Sequence, residues 1–318
     1  MRLFEHPDFR AVVLETAAQT GMPEQLVEKD YYVTEVLRRI TISHGTHVIF
    51  KGGTSLSKGW RLLRRFSEDL DLFLNPSSYD PALTRRGVDR ELRGIRDSVM
   101  EHPSLGYDDE RKNAIGGFGR DDYFLYKTIF DVIPGIPAEV KLEIGIQSGA
   151  FPSGVVWISS LAGDLLIERG QGGVAEDLLP FEMTLLHFRR TFVEKLFALH
   201  SKIERRKTEG EPIRRDARHY GDLYVLAGMR EVHDMLASDE YAEIRADYDA
   251  KSREFFPRSH RPPDGLSFAK SDAIWLPGNL RAEVEKDYVD DCTRLFWDGS
   301  MPRFDAVLDR LQSIADRL

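Results

Sequence analysis

The length, composition and charge of the chain limit the kinds of protein it can be. Its 318 residues, 42% of them hydrophobic, suffice for two domains or for one domain with additions. The single cysteine, Cys292, excludes an internal disulfide framework and a multi-cysteine zinc site, and it predicts a reducing, cytoplasmic location. The net charge of −9 argues against a protein that coats nucleic acid.

Positive charge is nevertheless concentrated in two segments. Residues 51–65 hold five basic and no acidic side chains, and residues 189–218 hold ten basic and five acidic ones. Residues 231–318, in contrast, hold nineteen acidic and twelve basic side chains. Local positive patches on an acidic body are typical of an enzyme that docks a polyanion at one place.

One uncharged stretch, residues 144–163, is about as long as a membrane span. It contains four glycines, four serines, a proline and a glutamine, so its hydrophobicity is too low for a span. We therefore predict two strands joined by a loop, and no membrane partner.

Hydrophobic periodicity predicts the elements of the chain in order. Helices are predicted at residues 7–20, 23–43, 81–100, 183–206, 230–256 and 280–317, and strands at residues 48–50, 69–74, 123–132 and 138–147. The charged, glycine-rich residues 108–122 predict a mobile loop. Trp275, Trp297 and Cys292 are predicted to be core residues.

A glycine-rich turn follows the first predicted strand. The apolar run Val48, Ile49 and Phe50 stops at Gly52 and Gly53, which let the backbone turn tightly and come close to a ligand. Thr54 occupies the predicted N-cap of a helix, and exposed backbone N–H groups at a helix start bind anions. The turn therefore predicts a phosphate site.

An Asp-x-Asp pair lies a short way along the chain. Asp69 and Asp71 alternate with Leu70, Leu72 and Leu74, so in a strand both carboxylates project from one face. Carboxylate oxygens beside substrate phosphates suit Mg²⁺. The order of turn and carboxylates predicts metal-assisted nucleotidyl transfer, and a solvated sheet edge is the structural alternative.

These motifs resemble the AbiEii/AbiGii toxin family of nucleotidyltransferases, which includes the MenT toxins of toxin–antitoxin systems. The resemblance rests on Phe50-Lys51-Gly52-Gly53-Thr54-Ser55-Leu56-Ser57-Lys58 and on Arg65-Phe66-Ser67-Glu68-Asp69-Leu70-Asp71-Leu72. Further matching stretches are Glu28–Val33, Arg190–His200 and Arg218–Tyr224, so the resemblance covers roughly residues 24–226.

The resemblance implies an α+β fold with a polymerase β-type nucleotidyltransferase core, a mixed sheet with flanking helices, followed by a helical domain. The expected segments are N-terminal helices at residues 1–45, the core at 46–175 and the helical domain at 176–318. In this fold a third acid lies on a later strand, which makes Glu143 a candidate base for the attacking hydroxyl. A surface pair of Lys141 with Glu143 is the competing interpretation.

A lysine in the helical part is functional in the family, and Lys195 occupies that position here. Because its helix is largely apolar, the ammonium needs a carboxylate or a triphosphate as partner. Asp222 is the predicted carboxylate, with Asp216 as the alternative.

The predicted site therefore has three sets of residues. Asp69, Asp71, Glu143, Lys195 and Asp222 are the catalytic set, and Asp69 and Asp71 hold Mg²⁺. Gly52, Gly53, Thr54, Lys58, Arg65 and Ser67 bind the NTP. Ser67 matches a serine that the partner antitoxin phosphorylates in some family members, which would place negative charge beside the metal carboxylates.

The resemblance implies that the acceptor is the tRNA 3′ end, extended by NMP so that translation is blocked, and that a cognate antitoxin protein exists. Two alternatives remain from the sequence. One is an enzyme that transfers AMP to a protein hydroxyl, and the other is a catalytically silent nucleotide-binding module.

Overall fold

The structure is a computed structural model that describes residues 1–67, 69–296 and 299–318. The chain divides into two compact units. The first comprises Met1–Arg61, Phe66–Ile146 and Ser153–Leu185, and the second Leu62–Arg65, Gln147–Pro152 and Leu186–Leu318. Within the described ranges, no helix is both long enough and apolar enough to cross a membrane. The segments predicted at 1–45, 46–175 and 176–318 stay a prediction.

The first unit is built on one mixed sheet, with eight strands in the described part of the chain. The strands are β1 Val48–Lys51, β2 Asp69–Leu74, β3 Leu105–Tyr107, β4 Asn113–Ile115, β5 Gly119–Tyr126, β6 Glu139–Gly145, β7 Ser153–Ile158 and β8 Phe181–Leu186. Their order is β3-β5-β6-β2-β1-β8-β7, and β4 pairs with β5. The central β2 is antiparallel to β1 and parallel to β6.

Buried leucines alternate with partly exposed aspartates along β2. Leu70, Leu72 and Leu74 are buried, whereas Asp69 and Asp71 are partly exposed. The neighbouring β1 buries Val48, Ile49 and Phe50. The face of β2 that carries the leucines is therefore packed, and Asp69 and Asp71 project from its other face, as predicted.

Helices flank the sheet in this unit. They are α1 Phe9–Thr20, α2 Glu24–His44, α3 Gly52–Thr54, α4 Arg85–Met100 and α5 Leu161–Glu168. The predictions for α1, α2 and α4 are confirmed within a few residues, but α5 was not predicted. The arginines of α4 are mostly exposed, and Arg93 pairs with Asp89 at 2.7 Å, which is typical of a solvated helix face.

The prediction of a mobile loop at residues 108–122 is wrong. Strands β4 and β5 occupy much of this segment and pair antiparallel, from Asn113 opposite Asp121 to Ile115 opposite Gly119. Gly116 and Gly117 both have positive φ, 57° and 75°, which is the backbone geometry of a tight hairpin turn. The glycines therefore make a hairpin rather than a flexible segment.

The second unit is helical. Its helices are α6 Phe188–Glu209, α7 Arg218–Leu226, α8 Arg230–Leu236, α9 Asp239–Phe255, α10 Gly278–Leu295 and α11 Phe304–Ser313. The helix predicted at residues 183–206 begins too early, because β8 pairs with β1 through Leu185 and Phe50. The helix predicted at 230–256 is two helices, because Ser238 has an extended backbone that separates α8 from α9.

The predicted core residues of this unit have different outcomes. Cys292 is fully buried, as predicted. Trp275 is 45% exposed, so its assignment to the core is wrong, and its indole N–H donates to the Ala269 carbonyl at 2.7 Å. Trp297 lies outside the described residues.

The mixed α/β sheet with added helices confirms the predicted fold class.

Candidate active site

The glycine turn lies where β1 ends. Gly52 has φ +75°, and the backbone continues through the helical turn α3 into a π-helical turn at Ser55–Gly59. The first amides of such a turn have no partner within the helix, so they can donate to an anion. The structure thus contains the predicted change from strand to helix at the Gly-Gly pair, but the helical turn begins at Gly52, so the prediction of Thr54 as N-cap is wrong.

The turn and the Asp-x-Asp strand meet. The Thr54 hydroxyl donates to the backbone carbonyl of Asp69, with an O···O distance of 2.5 Å. A Cβ placed on Gly52 would overlap the Asp71 carboxylate, so this side chain lies directly against the glycine. The predicted proximity of the carboxylates to the glycine turn is confirmed.

A third carboxylate lies beside the pair. Strand β6 runs parallel to β2, with Lys141 opposite Asp69 and Glu143 opposite Asp71. Residues directly opposite each other on neighbouring strands share one face of a sheet. The prediction that the strand of Glu143 neighbours that of Asp69 and Asp71 is confirmed, while the catalytic role of Glu143 stays a prediction.

Lys141 lies among these carboxylates and was not assigned to the site. Its ammonium donates to Glu143 Oε1 and lies 4.0 Å from Asp69 Oδ1. The pair of Lys141 with Glu143 is therefore present, and Glu143 also adjoins the aspartates, so the pair does not exclude the catalytic interpretation, which stays a prediction. The period of two along β6 is the sequence signal that places Lys141 and Glu143 on one face.

The clustering of charge shifts the pKa values of both residues. Burial raises the pKa of Glu143, the charges of Asp71 and Asp69 raise it further, and Lys141 opposes the shift. Burial would lower the pKa of Lys141, but its hydrogen bond to Glu143 and the charge of Asp69 raise it instead. The negative charges of Asp69 and Asp71 that raise the pKa of Glu143 also attract cations to this face.

The donor set of this face fits a hard divalent cation. Asp69 and Asp71 offer only oxygen atoms as ligands. Both lie on β2, beside a turn whose amides can hold phosphate. Within the described ranges, no group of three or more His, Cys, Asp or Glu side chains forms a ready-made metal cage. Mg²⁺ does not require such a cage, because it commonly uses one or two carboxylates and completes its shell with water and substrate phosphates.

Lys58, predicted to contact the nucleotide, is held by protein groups. Its ammonium donates to Asp30 Oδ1 at 2.6 Å and to the Ser159 carbonyl at 3.0 Å. The other oxygen of Asp30 accepts the Leu161 N–H at the start of α5, at 2.8 Å. This arrangement connects α2, the π-helical turn and α5, and the phosphate contact of Lys58 stays a prediction.

The second unit contains a buried cluster of charges. Arg65 makes a bidentate pair with Asp222, with N···O distances of 2.6 and 2.7 Å. Lys195 Nζ lies 2.8 Å from Asp222 Oδ2 and 3.1 Å from His219 Nδ1. Asp222 is fully buried, and Arg65 is 1% exposed. The predicted pairing of Lys195 with Asp222 is confirmed.

The alternative carboxylate, Asp216, lies elsewhere. It pairs with Lys202 at 3.0 Å, and its side chain is 42% exposed. The sequence left the choice between the two acids open because the connector before α7 has variable length. Burial and the shared contact with Arg65 decide it in favour of Asp222.

Burial and mutual charge shift the pKa values of the cluster. Burial would raise the pKa of Asp222, but the charges of Arg65 and Lys195 hold it well below its usual range. Burial lowers the pKa of Lys195, and the charges of Arg65 and Arg218 add to the shift while Asp222 opposes it. Burial lowers the pKa of His219 to about 4, so this ring is neutral at pH 7. Two cations thus share one carboxylate.

The remaining nucleotide-binding predictions concern Arg65 and Ser67. Arg65 is engaged with Asp222, and its predicted contact with a triphosphate stays a prediction. Ser67 is only 7% exposed. Glu68, which is part of the matching motif, lies outside the described residues.

Comparison with known proteins identifies the family of the chain. The family described as "Nucleotidyl transferase AbiEii toxin, Type IV TA system" matches residues 35–310. The match includes the glycine turn, the carboxylates and the buried cluster, and it extends beyond residue 226, where the sequence showed nothing family-specific. No curated protein matches the chain. The chain therefore belongs to the AbiEii family of nucleotidyltransferase toxins.

Proposed function

We propose that the chain is a Mg²⁺-dependent enzyme that transfers NMP from an NTP to the 3′ end of tRNA. Membership of the family establishes a nucleotidyltransferase with a nucleotide substrate. The observation that carries the proposal is the placement of Asp71 against Gly52 on one side and opposite Glu143 on the other. This arrangement combines a phosphate-binding turn, metal-ligating oxygens and a base.

The glycine turn binds the triphosphate. Backbone amides at Gly52 and Gly53 donate to phosphate oxygens, and the absence of a Cβ on Gly52 leaves room for the Asp71 carboxylate. The Thr54 hydroxyl holds the turn to β2 through the Asp69 carbonyl. Lys58 positions the π-helical turn through its pair with Asp30, and adds positive charge.

Asp69 and Asp71 would hold Mg²⁺, which would supply positive charge to offset that of the phosphate oxygens and of the α-phosphoryl group. Glu143 accepts the proton of the acceptor hydroxyl, with Asp71 as the alternative base. The acceptor oxygen forms a bond to the α-phosphorus, and the bond between that phosphorus and the bridging oxygen breaks. Pyrophosphate leaves, and one nucleotide remains on the acceptor.

The buried cluster of the second unit supplies Lys195. Asp222 fixes the position of the ammonium through an N···O contact of 2.8 Å, and it also pairs with Arg65. From the family resemblance we infer that Lys195 is a functional residue of this cluster. The lowered pKa of His219 keeps its ring uncharged, so it adds no further repulsion toward Lys195.

The choice of tRNA rests on the resemblance to MenT toxins and on the distribution of charge. Of the basic residues in 51–65, Lys58 and Arg65 are buried in ion pairs. The exposed positive charge of this segment is therefore that of Arg61 and Arg64, and residues 189–218 supply the second basic segment for RNA. A tRNA whose 3′ end carries extra nucleotides can no longer be charged with an amino acid. Translation in the cytoplasm would then stop.

An antitoxin partner follows from the family, and we propose Ser67 as its point of control. A phosphate on Ser67 would add about two negative charges two residues before Asp69 and oppose NTP binding. Because Ser67 is 7% exposed, a kinase needs local opening of this segment. Mass spectrometry after co-expression with the neighbouring gene's product tests this, and full inhibition with unmodified Ser67 would contradict it.

The activity is tested by incubating the chain with each α-labelled NTP, Mg²⁺ and either purified tRNA or total cell extract. We expect label at the 3′ end of tRNA. No label should be transferred when EDTA is present from the start of the reaction. Label in protein rather than RNA would contradict the proposed acceptor. Absence of transfer from every NTP to either material would contradict the activity itself.

A further inference from the structure

The proposed mechanism gives Lys141 no role, although this residue lies beside the carboxylates. It projects from β6 opposite Asp69, two residues before Glu143, on the face that carries the carboxylates. Its ammonium donates to Glu143 Oε1 and lies 4.0 Å from Asp69 Oδ1. The side chain is 26% exposed, so its end has access to water.

The ammonium of Lys141 lies where it can offset repulsion between carboxylates. Asp69, Asp71 and Glu143 bring three carboxylates together on neighbouring strands, and like charges so close repel one another. An ammonium between Asp69 and Glu143 offsets part of this repulsion. Lysine suits such a task because its charge is a compact group on a flexible stem with three donors, so it can approach and withdraw.

We propose that Lys141 is a tethered counter-ion that pairs with Asp69 and Glu143 in the resting enzyme and releases Asp69 when a divalent cation binds. This inference rests on the proposed function, because it places the cation at Asp69 and Asp71. Lys141 then competes with the metal while the nucleotide is absent. Substrate phosphates supply the additional ligands that favour the metal, so that the metal and the nucleotide bind together.

Metal binding to the resting protein tests the proposal without measuring catalysis. Mn²⁺ is titrated into the full chain without nucleotide, and the free ion is followed by electron paramagnetic resonance. Lys141→Met removes the charge and keeps much of the stem, and Lys141→Arg keeps the charge. Lys112→Met is the control for net charge, because Lys112 is an exposed lysine of the same unit, paired with Asp109 at 2.6 Å.

We expect Lys141→Met to bind Mn²⁺ about tenfold more tightly than the wild type, since a charge close to a divalent ion is lost. Lys141→Arg and Lys112→Met should stay within about twofold of the wild type, because Arg keeps the charge and Lys112 is an exposed, screened charge. An affinity of Lys141→Met equal to that of Lys112→Met would overturn this inference and leave the metal site intact. Failure of wild type and Lys141→Met alike to bind Mn²⁺ would contradict the metal site, and with it the inference.

Thermal unfolding separates this role from that of an ordinary Lys–Glu pair. In EDTA, Lys141→Met should melt below the wild type, because three carboxylates then lose a counter-ion. Saturating Mg²⁺ should remove this difference, because the metal replaces the lysine as counter-ion. A difference of the same size with and without Mg²⁺ would show a structural pair and overturn the proposal.

Discussion

At the scale of single residues, two separate features of the structure require glycine at position 52. Its φ of +75° is unfavourable for any residue with a Cβ, and the space that a Cβ would fill belongs to the Asp71 carboxylate. The first requirement concerns the backbone alone, whereas the second concerns the proposed metal ligand. A comparison of two glycines can separate them.

Gly52→Ala should lose activity because the new methyl group displaces the Asp71 carboxylate. A displacement of about 1 Å at a reacting centre can cost about a hundredfold in rate. Gly170→Ala is the matched control, since Gly170 has φ +73° and no atom near the position of a Cβ. We expect Gly170→Ala to lose about 1–2 kcal/mol of stability in urea unfolding and Gly52→Ala to lose at least as much, and only Gly52→Ala to lose transfer activity. Equal activity in the two variants would contradict the placement of Asp71.

Glu143 should be visible in the pH dependence of the reaction. A base must be deprotonated to act, so the rate of the wild type should rise as pH increases through the raised pKa of Glu143. Glu143→Gln cannot titrate, so it should lose this rise and about 10²–10⁴ in kcat. A pH–rate profile of both proteins checks this. An unchanged acidic limb in the variant would assign the base to another group, with Asp71 as the alternative.

Sequence reasoning reached some of these residues and not others, for physical reasons. The alternation of Asp69 and Asp71 with leucines is local, so their common face was predictable. The hydrogen bond from Thr54 to Asp69 spans 15 residues, and the pair of Lys58 with Asp30 spans 28, so neither leaves a local pattern. Lys141 shared a predicted face with Glu143, but its contact with Asp69 depends on strand order, which the sequence does not specify.

At the scale of elements, Asp222 connects three parts of the second unit. It lies on α7, receives Lys195 from α6 and binds Arg65 of the short segment Leu62–Arg65. A buried carboxylate with two cationic partners is costly to remove, because both cations then remain buried without it.

Asp222→Ala should therefore destabilise the protein by about 3–5 kcal/mol. Asp216→Ala should cost less than about 1 kcal/mol, because Asp216 forms a half-exposed pair with Lys202. Urea unfolding of both variants at neutral pH measures the difference. Similar losses for the two variants would show that the buried cluster does not stabilise the second unit.

Acid should weaken the same cluster. Because the folded pKa of Asp222 lies below its ordinary value of 3.8, its contribution to stability is present above that pH and is lost as pH falls toward the folded pKa. The free energy of unfolding of the wild type should therefore fall more steeply between about pH 5 and pH 2 than that of Asp222→Asn. Parallel pH dependences in this range would contradict the low pKa of Asp222.

Elements with strong local patterns were predictable, and those decided by tertiary pairing were not. The apolar stripes of α1, α2 and α4 indicated helices because their period is visible in a short window. Strand β8 resembled the start of a helix, since its apolar residues fit both periods until β1 pairs with it at Leu185. The hairpin of β4 and β5 was missed because its glycines and charges were interpreted as signs of mobility.

At the scale of the whole molecule, the fold class and the enzyme class were both predictable. The order of strand, glycine turn and Asp-x-Asp strand predicted nucleotidyl transfer, the family resemblance implied the fold, and the family match over residues 35–310 agrees with both. The two compact units are discontinuous, since Leu62–Arg65 and Gln147–Pro152 belong to the second unit while their neighbours in sequence belong to the first. A division of this kind depends on tertiary packing, which composition and periodicity do not reveal.

The central claim is that two aspartates beside a glycine turn support nucleotidyl transfer to RNA. The most direct measurement is Mg²⁺-dependent transfer of label from an α-labelled NTP to tRNA by Asp69→Asn and Asp71→Asn. The control is Asp97→Asn, which alters an exposed acid on α4 that pairs with Arg96. We expect each of the two site variants to lose at least about a hundredfold in rate while it stays folded, and the control to match the wild type. Transfer at the wild-type rate by either site variant would contradict the claim.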